Sequence, residues 1–303
     1  MHDHYDPVIG TPAFLGGPRV LNRPPLFRDP APPPPVRRRW LLPAALFAVT
    51  CLSTWHAGNT WTDDGWIYAA GIMTILACHE LGHFLQARRY GVPASPPYFI
   101  PMPLSPIGTL GAVIAMRSRI ADSRALFDVA VTGPVAGLVP TLVMLVVGLR
   151  RSEIGGFVTE PPWLAGKPLL FRWLESLVLG PDLPALEISY HPLAVAAWTG
   201  LFVTALNLIP IGQLDGGHVL YTLLRRKAHA VSAALVALAA LAIAADFRAY
   251  GPWTLMLVLL VLMGVRHPPT AHDVPLGRGR SVLGWLAIAF VLVGFTPSPF
   301  PLR

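Results

Sequence analysis

A succession of apolar runs constrains this chain more than any other feature. Crossing the hydrocarbon core of a bilayer as a helix takes about 20 mostly apolar residues. Four runs approach or reach that length: Trp40 to about His56, Trp66 to Ala87, about Leu126 to Leu149, and Leu193 to about Ile211. Three shorter ones follow, about Ala230 to Ala245, Trp253 to Val265 and Val282 to Phe295, two of which are short enough for a re-entrant pair. Backbone polar groups in hydrocarbon must be satisfied internally, so such runs become helices. The expected fold is an all-α polytopic membrane protein with about six to seven transmembrane helices. Composition agrees: 53% of residues are hydrophobic and 13% charged, against about 25% charged in soluble domains.

The net charge is +7, but the basic residues sit at the ends of apolar runs. That is the pattern of membrane topology, so the partner they imply is the lipid bilayer, and no nucleic acid is expected. Arg37, Arg38 and Arg39 precede the first run, which orients the N-terminus to the cytoplasm. With seven spans, only Arg150, Arg151, Lys167, Arg172, Arg248 and Arg303 of the 23 basic residues fall outside.

Residues 1–39 are polar and proline-rich, with Pro32 to Pro35 in a row and no early apolar segment. They cannot bury a core and are not patterned as a cleavable signal peptide. A disordered cytoplasmic tail is expected, with His2 and His4 solvated, followed by one polytopic domain over residues 40–303. The two cysteines, Cys51 and Cys78, lie in apolar runs. No structural disulfide is expected between them, and Cys78, which adjoins the motif described below, is read as a small buried hydrophobe in preference to a ligand. Residues 92–124 are rich in proline from Pro93 to Pro106. They then carry the apolar run Ile107 to Met116, whose glycine and β-branched content suggests a strand pair. This run is too short to span. It predicts a small membrane-associated β hairpin that dips into the bilayer with protein covering its backbone. In the other long connection, residues 152–190, the apolar stretch Trp163 to Leu179 is expected along the interface.

The chemistry is concentrated in the second run, where Cys78 is followed by His79-Glu80-Leu-Gly-His83. On a helix, residues four apart share a face, so two imidazoles can reach one metal ion while Glu80 lies beside the water bound there. Zinc lowers the pKa of such a water to about 7. A neighbouring carboxylate can then take its proton while the oxygen attacks a carbonyl. Two histidines and a glutamate inside a bilayer are costly unless satisfied, so their location favours a metal site over a polar contact cluster.

A catalytic zinc site takes three protein ligands plus water, so a third should come from another apolar segment. The fourth run ends Asn207-Leu-Ile-Pro210-Ile-Gly-Gln-Leu-Asp215-Gly216-Gly217-His218. Asp215 is the favoured ligand, with His218 one turn beyond as its rival. Asp215 is also a candidate N-cap for a short helix from about Gly216 to Leu224. Gly133 and Gly137, in the third run, are read as a helix-packing pair.

These motifs together resemble the site-2 protease family of intramembrane zinc metalloproteases. The resemblance rests on His79-Glu80-Leu-Gly-His83, Asn207-x-x-Pro210-x-x-x-x-Asp215-Gly216, and Gly133-Pro134-Val-Ala-Gly137. The stretch from Tyr98-Phe-Ile-Pro101 to Gly108-Thr-Leu-Gly111-Ala-Val is similar to the branch that includes plant chloroplast members. The resemblance covers roughly residues 65–225. It implies Zn2+ bound by His79, His83 and Asp215, with Glu80 as general base and Asn207 holding substrate or stabilising the oxyanion. The implied substrates are single-span membrane proteins, cut within the membrane. A proteolytically inactive relative that binds membrane clients, or a metal or ion transporter, is the alternative. A transporter predicts polar residues spread over several spans, whereas here they gather at two sites.

Overall fold

The computed structural model describes residues 40–115, 122–154, 166–181, 188–268, 270 and 272–297. The tail expected over 1–39, with His2 and His4, lies outside them.

Each of the seven candidate spanning runs forms a helix. These are α1 (Leu41–Asn59), α2 (Gly65–Arg89), α3 (Ser123–Arg150), α5 (Pro192–Asn207), α7 (Lys227–Ala245), α9 (Trp253–Met263) and α10 (Arg278–Gly294). Between them lie α4 (Leu169–Leu179), α6 (Asp215–Leu224) and the one-turn α8 (Phe247–Tyr250). Three of the described helices, α1, α3 and α7, are long and apolar enough to cross a membrane; α5 and α9 are apolar but shorter.

The core is built on α5. Ala194, Val195, Ala196, Ala197, Trp198 and Leu201 are fully buried. Small residues let its neighbours approach, as between membrane helices generally. A methyl group on Gly71 of α2 would sit 2.8 Å from the Ala196 β-carbon, and one on Gly148 of α3 would overlap the backbone of Ala194. By contrast, α7 is apolar on every side and leaves Leu238 and Leu241 exposed. In water that pattern would be a liability, but it suits a helix facing lipid.

The hairpin is present, but its strands differ from the expectation. The first, β1 (Tyr98–Pro101), comes from the proline-rich stretch, and only β2 (Thr109–Val113) from the apolar run. They pair antiparallel, Tyr98 with Val113 and Phe99 with Ala112, and the register shifts between Phe99 and Pro101. A proline at a strand end costs no ladder bond. Buried side chains seat the tip: Ser53 of α1 donates to the Gly108 carbonyl (2.6 Å) and Tyr68 of α2 to that of Ile107 (3.0 Å). Ser53 lies roughly 18 Å along α1, and Tyr68 roughly 16 Å before His79, at 1.5 Å rise per residue. The hairpin therefore runs alongside the helices past the level of the histidines, with tip carbonyls satisfied by protein.

Beyond the far ends of α3 and α5, β3 (Glu153–Ile154) pairs with β4 (Ile188–Ser189). Here α4 buries Phe171 and exposes Leu169, Trp173 and Leu177 as a stripe. Lys167 pairs with Glu175 at 3.0 Å and sits over the Tyr190 ring.

At the opposite end, the strap between α9 and α10 lies across the start of α3 and the end of α6. The Ser123 hydroxyl donates to the Val274 carbonyl and accepts from its amide, both at 2.9 Å. Arg225 pairs with Asp273 at 2.8 Å. Close by, Arg280 of α10 grips Asp128 of α3 through two bonds of 2.8 Å, and the Tyr90 hydroxyl donates to the same carboxylate. Such a bidentate pair adds geometric specificity as well as energy, and here it ties the ends of α2, α3 and α10 together.

Candidate metal centre

The two histidines stand one turn apart on the inward face of α2, and His79, Glu80 and His83 are all buried. The third member arrives from a different part of the chain. After Asn207 the backbone leaves α5, and Pro210 follows. It doubles back through Gly212, which has φ +56°, and starts α6 at Asp215. This return is tight: a β-carbon on Gly216 would overlap the Leu208 carbonyl, and one on Gly217 the Ile211 carbonyl. The two glycines are thus required by backbone crowding. Asp215 is the first helical residue and Leu214 the cap, with no side-chain capping bond. The capping alternative is not seen; the carboxylate is turned to the histidines instead.

Asp215 Oδ2 lies 3.3 Å from His79 Nε2 and 3.2 Å from His83 Nε2, and the two Nε2 atoms are 3.1 Å apart. Among the described residues, this is the one group of three metal-ligating side chains whose donor atoms converge. The donor chemistry fits a cation. The Val129 carbonyl, 2.8 Å from His83 Nδ1, can only accept. The proton of a neutral His83 is therefore on Nδ1, leaving a bare Nε2 that faces a carboxylate oxygen. Such opposed lone pairs need a positive charge between them. Two ligands bound tetrahedrally at the usual zinc distance of about 2.0–2.1 Å are roughly 3.3 Å apart, close to the spacings found. Two histidines and a carboxylate suit zinc among the common divalent ions.

Asn207 also reaches this group, its Nδ2 lying 3.3 Å from His79 Nε2. Glu80 is buried beside the cluster, and no ion pair or hydrogen bond engages its carboxylate among the described residues. All five predicted site residues are therefore gathered at one place. His218, the rival ligand, is not in the converging set; its ring bonds to His267 of the strap at 2.6 Å.

Three features of the site were not read from the sequence. The Val129 carbonyl orients His83, and a backbone acceptor leaves no trace in residue type. Gly133 and Gly137 do pack helices, but what they pack against are the ligand rings. A β-carbon at Gly133 would run into the His83 imidazole, and one at Gly137 would sit 3.1 Å from the His79 β-carbon. Their spacing of four, equal to that of the histidines, was the available signal.

Residues 67–245 match the sequence profile of peptidase family M50. The chain belongs to this family. The matched M50 region contains all five site residues. Among the relatives, the probable zinc metalloprotease EGY1, chloroplastic, of Arabidopsis thaliana is 35% identical over 76% of this chain and 42% of its own length. The probable zinc metalloprotease EGY2, chloroplastic, of Oryza sativa subsp. indica is 31% identical over 78% of this chain and 44% of its own length. The chain thus spans less than half the length of these curated relatives. No solved structure matches it. The resemblance read from the motifs to site-2 proteases, and to the branch with chloroplast members, is shown by these matches.

Proposed function

We propose that this chain is an intramembrane zinc metalloendopeptidase that hydrolyses peptide bonds of single-span membrane proteins. The observation that carries the reading is the convergence of His79, His83 and Asp215 on one point in the helical bundle, with the buried Glu80 carboxylate beside it.

Zinc held by these three residues would supply Lewis acidity and a readily deprotonated water. The chain's own groups do the rest. Glu80 takes a proton from the attacking water and passes it to the departing amine. The Asn207 amide donates to the oxygen on which charge develops as the carbonyl is attacked. The burial of His79, Glu80 and His83 restricts the access of bulk water to the site. A substrate helix must unwind to offer its carbonyls, and β2 supports an extended conformation. Among the described residues it is paired on one edge only, with β1, in a two-stranded sheet, so the other edge suits strand addition.

In this reading six to seven helices cross the bilayer and the N-terminus is cytoplasmic. Alternation of the helix ends supports the crossings, and Arg37, Arg38 and Arg39 before the first run support the orientation. The end of α2, the start of α3, the end of α6 and the start of α10 meet at one end, through Tyr90, Ser123, Asp128, Arg225 and Arg280. The end of α3 and the start of α5 meet at the other, where the Ser152 hydroxyl accepts from the His191 amide.

The test is reconstitution of the purified chain in bilayers with labelled single-span substrates. One zinc per chain is expected, with cleavage inside the spanning segment that is lost to a chelator and restored by zinc. Zinc-bound protein that cuts no single-span substrate would favour the client-binding relative.

A further inference from the structure

Beside the converging set lies a second histidine whose protonation can be read from its neighbours. His267 Nδ1 is 2.5 Å from the Pro268 carbonyl, which only accepts. The proton of neutral His267 is therefore on Nδ1 and its Nε2 is bare. That bare nitrogen lies 2.6 Å from His218 Nδ1, so His218 must donate there. The remaining nitrogen of His218, Nε2, is then left with a free lone pair.

Metal-ligating histidines show this arrangement: one ring nitrogen donates to a fixed acceptor while the other keeps its lone pair for the ion. His83 has it, through Val129. His218 repeats it one helical turn beyond Asp215, on the same side of α6. Asp215 and His83 are close enough to act on His218 electrostatically. His267 is itself held firmly. Tyr221 stacks on it at 4.2 Å, and His229 of α7 donates to its carbonyl at 3.2 Å. Both histidines lie where the strap meets α6, with His218 within electrostatic reach of Asp215 and His83.

We propose that His218 is an accessory zinc ligand, kept in a metal-ready tautomer by His267, that captures the ion on its way to the His79–His83–Asp215 centre. This rests on the reading of that centre as a zinc site. A desolvated ion needs a ligand before it reaches a buried cluster, and a neutral imidazole supplies one. With no carboxylate of its own, His218 holds zinc more weakly than the set containing Asp215, so onward transfer is downhill. His267 acts only through His218 and is a positioning residue.

Zinc is stripped from the purified full chain in detergent, and its uptake is followed with a chromophoric zinc indicator. His218→Asn keeps a donor toward His267 and loses the free nitrogen. It is expected to melt like the unmodified chain and to reach the same zinc content, but severalfold more slowly. His267→Ala should slow uptake less, and His267→Gln, whose amide oxygen accepts from His218, should restore the rate. Unchanged uptake in His218→Asn would overturn the proposal while leaving the centre intact. So would a lower final zinc content, which would put His218 in the resting ligand set. If His267→Ala lowers the melting temperature without slowing uptake, the pair is only a staple for the strap and the proposal fails. An unmodified chain that takes up no zinc would overturn the centre and the accessory site together.

Discussion

Gly133 of α3 lies against the imidazole of His83, so close that no β-carbon fits between them. One turn further, Gly137 stands in the same relation to His79, with slightly more room. The glycine pair therefore sets the depth at which both ligand rings rest, and it couples helix packing to ligand geometry.

Gly133→Ala should displace His83 and lower zinc occupancy together with cleavage. A second-neighbour disturbance of a ligand typically costs 10–100-fold in metal affinity, and a direct collision should reach the upper part of that range. Gly137→Ala, with a tight contact in place of an overlap, should cost less. Zinc titration of both variants checks the order; equal, undisturbed affinities would refute the coupling.

Asp215→Ala should remove zinc and activity together, because it deletes the only carboxylate of the converging set. His218→Ala should keep most of its zinc at equilibrium. Metal analysis of the two proteins decides between them, and the reverse outcome would make His218 the third ligand.

The hairpin offers a variant that spares the metal. Gly108 has φ +83°, and a β-carbon there would lie 2.7 Å from backbone atoms of Ser53 and Thr54. Gly108→Ala should unseat the tip from α1, and Val113→Pro should disrupt β2 itself. Both are expected to lower cleavage severalfold or more with zinc content unchanged. Loss of zinc in step with cleavage would mean that the hairpin only supports α2.

Much of this site was legible in the sequence because helical periodicity is local. His79 and His83 share a face at any helix position, and the helices follow from apolar run length alone. Asp215 was reachable because a catalytic zinc needs a third ligand from another apolar segment, and Asn207 because its segment resembles that of a known family. What stayed hidden depends on partners distant in sequence. The first strand, Tyr98–Pro101, was masked by its prolines and is fixed by pairing with Thr109–Val113. The depth of the hairpin is set by Ser53 and Tyr68, whose hydroxyls look unremarkable in apolar helices. The strap carries neither period nor motif, and His267 gains meaning only beside His218.

The central claim is hydrolysis at this centre with Glu80 as the proton carrier. The most direct measurement compares Glu80→Gln with the unmodified chain, reading zinc content and cleavage of a single-span substrate on the same preparations. The account predicts equal zinc in both and a loss of cleavage of at least 10²–10⁴-fold in the variant, the contribution typical of a positioned acid–base group. Full cleavage by Glu80→Gln at normal zinc content would contradict it.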